Sequence, residues 1–111
     1  MCSKCKHFQL KHIVDPKRLF AEYVYKSGTS AFFQNHFENL AEEIVKMFND
    51  NSIKVFEVGS NDGLLLSALG KRGIMAVGLE PSKSLVDECN NNGLQVIHGF
   101  LTDEIVQSAT S

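Results

Sequence analysis

Two acids and a glycine-marked turn carry the sharpest chemical signal in this 111-residue chain. Glu57 stands inside the apolar run Val55-Phe56-Glu57-Val58, which continues as Gly59-Ser60-Asn61-Asp62-Gly63. Glu80 closes a second apolar run, Ile74 to Leu79, about 20 residues beyond Gly59, the spacing at which nucleotide-binding sheets place a ribose-binding acid. A strand that enters a glycine turn and then a helix holds ligands at the strand's carboxyl end, against the helix N-terminus. Gly59 lets the backbone pass close to such a ligand because no Cβ intrudes. Gly63 is expected to let the following helix pack tightly on its strand. Asn61 occupies the place where dinucleotide binders put their middle glycine, and Asn tolerates positive φ, so the turn survives.

Glu57 decides between ligands. An ionised carboxylate in an apolar strand is costly unless it is paired. The ammonium group of a methionine moiety would pair with it, whereas a pyrophosphate would be repelled. A nearby Lys, or water at the strand end, is the ordinary alternative. Glu80 would accept hydrogen bonds from ribose hydroxyls and repel a 2′-phosphate. S-adenosylmethionine suits both acids better than NAD or NADP does.

Weaker signals lie elsewhere. Cys2-Ser-Lys-Cys5 has the spacing with which two thiolates grip one tetrahedral zinc, half of a four-ligand structural site. His7, His12 or a second chain would have to complete it; the alternative is a reduced N-terminus without metal. Cys89 falls within a predicted helix and reads as a small buried apolar residue. Tyr23 and Tyr25 are either core aromatics or phenols facing a reaction pocket. His36 lies on a helix among apolar residues, where a packing role is expected, and His98 at a strand end is uninformative.

These residues need elements to position them. Residues 1–12 are basic and without periodicity, with Phe8-Gln-Leu10 a candidate short strand. Residues 13–51 are helical. Asp15-Pro16 caps a first helix bearing Leu19, Phe20 and Tyr23, and Ser27-Gly-Thr-Ser30 breaks it. A longer helix then follows with Phe33, Phe37, Leu40, Ile44, Val45 and Phe48 on one stripe and Glu38, Glu42 and Glu43 mostly opposite. Residues 52–111 alternate strands (Ile53–Val58, Ile74–Leu79, Leu94–Ile97) with helices opening at Leu64, Pro81 and Thr102. Alternation of this kind implies βαβ crossovers, hence an α/β fold with a partial Rossmann-like parallel sheet of about three strands.

A hydrophobic fraction of 43% and a charged fraction of 22% are ordinary for a globular chain. The net charge of −2 provides no basic surplus for nucleic acid or acidic membranes. No apolar run approaches the roughly 20 residues of a membrane helix. Three cysteines and a polar opening, without the apolar stretch of a secretory signal, fit a reducing cytoplasm.

With these motifs in hand, the chain resembles the sugar-nucleotide C-methyltransferases that act on deoxysugars. The resemblance rests on Tyr23-Val-Tyr25-Lys-Ser27-Gly-Thr-Ser30, on a helix carrying His36, on Glu57-Val-Gly-Ser-Asn-Asp-Gly63 and on Gly78-Leu-Glu80-Pro81-Ser82, in the family's order. It implies Cys2 and Cys5 as a zinc pair, and Tyr23, Tyr25 and Ser30 near cofactor and sugar. It also implies Glu57, Gly59, Asn61 and Gly63 as the methionine-side loop, with Glu80 and its neighbour Pro81 on the ribose side. The family's other Cys pair, later strands, downstream catalytic His and C-terminal sugar-nucleotide domain have no counterpart here. The expectation is therefore a chain inactive or nearly so by itself, prone to self-association through an exposed sheet edge. A non-catalytic binding module for S-adenosylmethionine or a nucleotide remains open, as does a structural or interaction fragment.

Overall fold

The computed structural model describes residues 1–20, 25–48 and 52–110. In chain order it contains α1 (Pro16–Phe20), a 3₁₀ turn (Ser27–Thr29), α2 (Ala31–Phe48), β1 (Lys54–Val58), α3 (Leu64–Gly70), β2 (Met75–Glu80), α4 (Lys83–Asn91), β3 (Val96–His98) and α5 (Asp103–Thr110). The three strands form one parallel sheet in the order β1-β2-β3. Val55 pairs with Ala76, Glu57 with Gly78, and Gly78 in turn with Val96. This is the expected α/β, partial Rossmann-like architecture.

Side chains alternate across a strand, so the pairing sorts them into two faces. Val55, Glu57, Ala76, Gly78 and Val96 share one face, which α2, α3 and α4 cover. There Ala41, Leu65, Ala68, Leu69 and Ile74 form one buried cluster, with Phe37, Leu40, Ile44 and Val45 of α2 packed on it. Leu66, Val86, Cys89 and Val96 form a second cluster, and Ala76 touches both. Phe56, Val58, Met75, Val77, Leu79 and Ile97 share the other face. Val58 is 55% exposed and Met75 59% exposed.

The two crossover helices end in the same way. Ile74 N–H bonds to the Leu69 carbonyl and Gly73 N–H to that of Gly70; Leu94 N–H bonds to Cys89 and Gly93 N–H to Asn90. Both are Schellman closures, with a left-handed glycine followed by an apolar residue that folds back on the helix. They also correct the strand boundaries. Leu94 belongs to the end of α4, and β3 runs Val96–His98, anchored where the Asn90 side chain bonds both the N–H and the carbonyl of Val96. Likewise α4 begins at Lys83, behind Ser82, rather than at Pro81.

Asp15 caps α1 as expected, its Oδ1 accepting the Lys17 N–H at 2.9 Å, and Thr102 Oγ1 accepts the Ile105 N–H at the start of α5. Three readings fail. Phe8 and Leu10 are exposed and form no strand, because no neighbouring strand offers them a partner. His36 is exposed, stacked on Phe32 and edge-on to Phe37 instead of packed inside. Glu38 turns toward α3, bonding Lys71 at 2.8 Å and Arg72 at 2.7 Å across the helix pair. Tyr23 lies outside the described residues. Among the described residues no helix is long and apolar enough to cross a membrane.

Candidate functional site

The loop between β1 and α3 is built from three left-handed residues: Gly59 (φ 77°), Asn61 (φ 50°) and Gly63 (φ 76°). It hangs from β2, since Gly59 and Ser60 N–H both bond to the Leu79 carbonyl. Nothing lies within 4 Å of where a Gly59 Cβ would project, so the bend meets open space there. Gly63 is tight for a different reason from the one expected. A Cβ there would sit 2.5 Å from Leu94 and 3.2 Å from Cys89, so its bareness serves packing against α4 and its end, not against β1.

A cleft of about 500 Å³ opens at the carboxyl ends of the strands. Its walls include Val58, Gly59 and Asn61 from the bend, and Leu79, Glu80 and Pro81 from the end of β2. Gly99, Phe100 and Leu101 follow β3, and Phe20, Tyr25 and Ser27 come from the N-terminal segment. Phe20 and Phe100 meet edge-on, ring centres 6.5 Å apart. Glu80 is 4% exposed, and both its oxygens are engaged: Oε2 accepts the Asn61 N–H and Oε1 the Ser82 N–H, each at 2.9 Å. A carboxylate held this way keeps a fixed direction, with lone pairs remaining for further donors. His98 Nε2 lies 2.9 Å from the Pro81 carbonyl and ties the loop after β2 to β3.

Glu57 does not share this cleft. It sits on the helix-covered face of β1 with Val55, while Val58 faces the cleft. Glu57 lines a second cavity of about 30 Å³, bounded also by Phe37, Ser60, Asp62, Leu64 and Leu65. Ser27, Gly59 and Asn61 line both cavities, so the bend itself is the partition. Three buried oxygens meet no partner at this loop: Glu57 Oε2, Ser60 Oγ and Asp62 Oδ1. Burial, reinforced by the Asp62 charge, pushes the Glu57 carboxyl up to about 7. A cation or hydrogen-bond donor brought to this side of the bend would restore its ionised form.

The other expected residues divide. Tyr25 lines the cleft and Ser27 lines both cavities; Ser30, which leads into α2, lines neither. Cys2 and Cys5 lie in one turn, where the Cys5 and Lys4 backbone and the Cys5 side chain draw the Cys2 thiol below its ordinary value. Neither His7 nor His12 joins them: no group of three His, Cys, Asp or Glu among the described residues converges as metal ligands, so the zinc expectation finds no site. Cys89 is buried as expected, its thiol pushed up to about 11 by burial and nearby carboxylates. Phe20, Phe100, Ser60 and Asp62 also reach the two cavities. Only Ser60 and Asp62 had a local signal, their place inside the motif.

The profile of the family described as "Methionine biosynthesis protein MetW" matches residues 38–110, about two thirds of the chain. The chain belongs to the MetW family. The shared stretch runs from Glu38 on α2 through the whole sheet to α5, and leaves Tyr25–Gly28 outside it. The chain is also similar to the C-methyltransferase NovU of Streptomyces niveus, 28% identical over 95% of this chain and 25% of that protein. It thus spans about a quarter of the length of that relative. Membership of the MetW family and this likeness place the chain among S-adenosylmethionine-dependent methyltransferase-like proteins.

Proposed function

We propose that this chain binds S-adenosylmethionine across the glycine bend and supplies the cofactor side of a C-methyltransferase acting on a sugar nucleotide. The carrying observation is the immobilised Glu80 carboxylate beside an open bend, with three unpartnered buried oxygens behind it. In this reading Glu80 receives the ribose hydroxyls, and the apolar walls at Pro81, Phe100 and Leu101 flank the adenine. The methionine end lies over Gly59. Its ammonium reaches Glu57 through the small cavity, which is large enough for one water molecule. The sulfonium would supply an activated methyl group for direct displacement, and the protein's part is alignment.

Sugar-nucleotide specificity draws support from the motif order Tyr25-Lys-Ser27, Glu57-to-Gly63 and Gly78-to-Ser82, and from the likeness to a C-methyltransferase. Tyr25, at the cleft wall, is the side chain assigned to the acceptor. Methylating carbon also requires a base to remove a proton. Glu80 is assigned to the ribose rather than to this proton, and the chain spans about a quarter of its relative's length, so by itself it should bind cofactor and transfer methyl slowly or not at all.

Calorimetry with S-adenosylmethionine and S-adenosylhomocysteine tests the binding. We expect measurable affinity in the wild type and its loss in Glu80→Ala, with melting temperature followed in parallel, because Glu80 also holds the bend. No affinity for either compound would refute the cofactor assignment. Rapid methylation of a sugar nucleotide by the 111-residue chain would refute the predicted inactivity.

A further inference from the structure

We propose that Asn61 is a positioning residue, whose side chain fixes Tyr25–Ser27 as a wall of the cleft while its backbone holds Glu80. The inference rests on the cofactor reading only for the ligand that this wall contacts.

Through its N–H and its side-chain amide, Asn61 makes three hydrogen bonds in three directions, besides the Cys89 thiol on its carbonyl. Its N–H donates to Glu80 Oε2 at 2.9 Å; its Oδ1 accepts the Ser27 N–H at 3.0 Å; its Nδ2 donates to the Tyr25 carbonyl at 2.9 Å. The N–H of Ser27 and the carbonyl of Tyr25 are two residues apart, the spacing an extended strand offers to a pairing partner. One amide, with a donor and an acceptor side by side, satisfies both. Asp62 extends the contact, its Oδ2 accepting the Gly28 N–H at 2.6 Å. A Cβ at position 28 would lie 2.7 Å from that oxygen, so a larger residue there would have to displace the Asp62 carboxylate.

The left-handed φ of 50° at Asn61 would suit glycine better. An amide at this position gains nothing for the turn itself. What it adds is the two bonds to the N-terminal segment, whose Tyr25 and Ser27 line the same cleft as Glu80. A ligand seated on Glu80 is therefore enclosed by a wall fastened to the residue that orients Glu80.

Asn61→Gly separates the roles, because it keeps the turn and the N–H to Glu80 and deletes both side-chain bonds. Asn61→Asp tolerates the same φ and keeps only the acceptor for Ser27. In the full chain we expect amide hydrogen exchange at Ser27 to quicken about tenfold in Asn61→Gly, with melting temperature unchanged or higher. We expect the dissociation constant for S-adenosylhomocysteine to rise about tenfold, with Asn61→Asp between it and the wild type. Unchanged exchange at Ser27 in Asn61→Gly would overturn the proposal, and so would faster exchange with unaltered affinity. If the wild type binds no S-adenosylhomocysteine, the cofactor reading fails, and the exchange comparison still decides whether Asn61 holds the wall.

Discussion

The two ends of the described chain are held by different forces. From β1 to β3, side chains interlock in two clusters that share Ala76, and α3 alone buries Leu65, Leu66, Ala68 and Leu69. Before α2 there is no buried residue among those described, and Phe8, Leu10 and Ile13 all face solvent. That segment meets the sheet domain through hydrogen bonds to Asn61 and Asp62, an exposed ion pair between Lys26 and Glu88, and the edge-on contact of Phe20 with Phe100. Burial builds the platform, and directional polar bonds place the wall. Such bonds are worth little each, but they fix position well.

Substitutions should break the two regions unequally. The largest effect is expected at the fully buried Leu69, where Leu69→Ala should lower unfolding free energy by about 3 kcal/mol in urea titration. A loss below about 1 kcal/mol would mean that α3 is not the centre of the core. Next come the two exposed positions on the second sheet face. Parallel sheets are ordinarily covered on both sides, so Val58 and Met75 should drive self-association. Met75→Lys should shift sedimentation toward monomer; an unchanged profile at equal concentration would discard that face as the cause.

The third test concerns Glu57. Its carboxyl is raised in the folded chain, so its protonated form is favoured there and stability falls as pH rises from about 4.5 to about 7. Glu57→Gln should flatten that slope. In the same range the ionised form is the one that attracts an ammonium, so wild-type affinity for S-adenosylhomocysteine should strengthen about tenfold between pH 5.5 and 7. The Gln variant should show no such gain, and parallel pH profiles would remove Glu57 from the site. The smallest effect is expected at Leu10, which is 84% exposed. Leu10→Ser should change stability by less than about 0.5 kcal/mol.

How much was legible in the sequence follows the same division. The β-branched run Ile53–Val58, the glycines of the turn and the caps at Asp15 and Thr102 are local signals, and their elements start within a residue or two of the expected positions. Asn61 was read correctly as a residue able to take positive φ. Its bonds to Tyr25 and Ser27 span more than thirty positions, and no local pattern encodes them. The two acids share a strand face by alternation, but Glu57 lies beneath the bend among Phe37, Leu64 and Leu65, whereas Glu80 ends β2 in the cleft, a separation along the strands that no local pattern encodes. The helix does not open at Pro81 because Ser82 is extended (φ −80°, ψ 110°), which makes Lys83 the first helical residue. The N-terminal apolar residues carried no period, and they settle into no element.

The double burial of α3 has a mechanical consequence. Packed between α2 and the sheet, with Leu66 set against Val86 and Cys89 of α4, this short helix has little room to tilt, so the bend it follows is stiff. The opposite jaw is held by one aromatic edge and a few polar clasps that water can replace. Any breathing of this pocket must therefore be lopsided, with the sheet standing still while the N-terminal side yields.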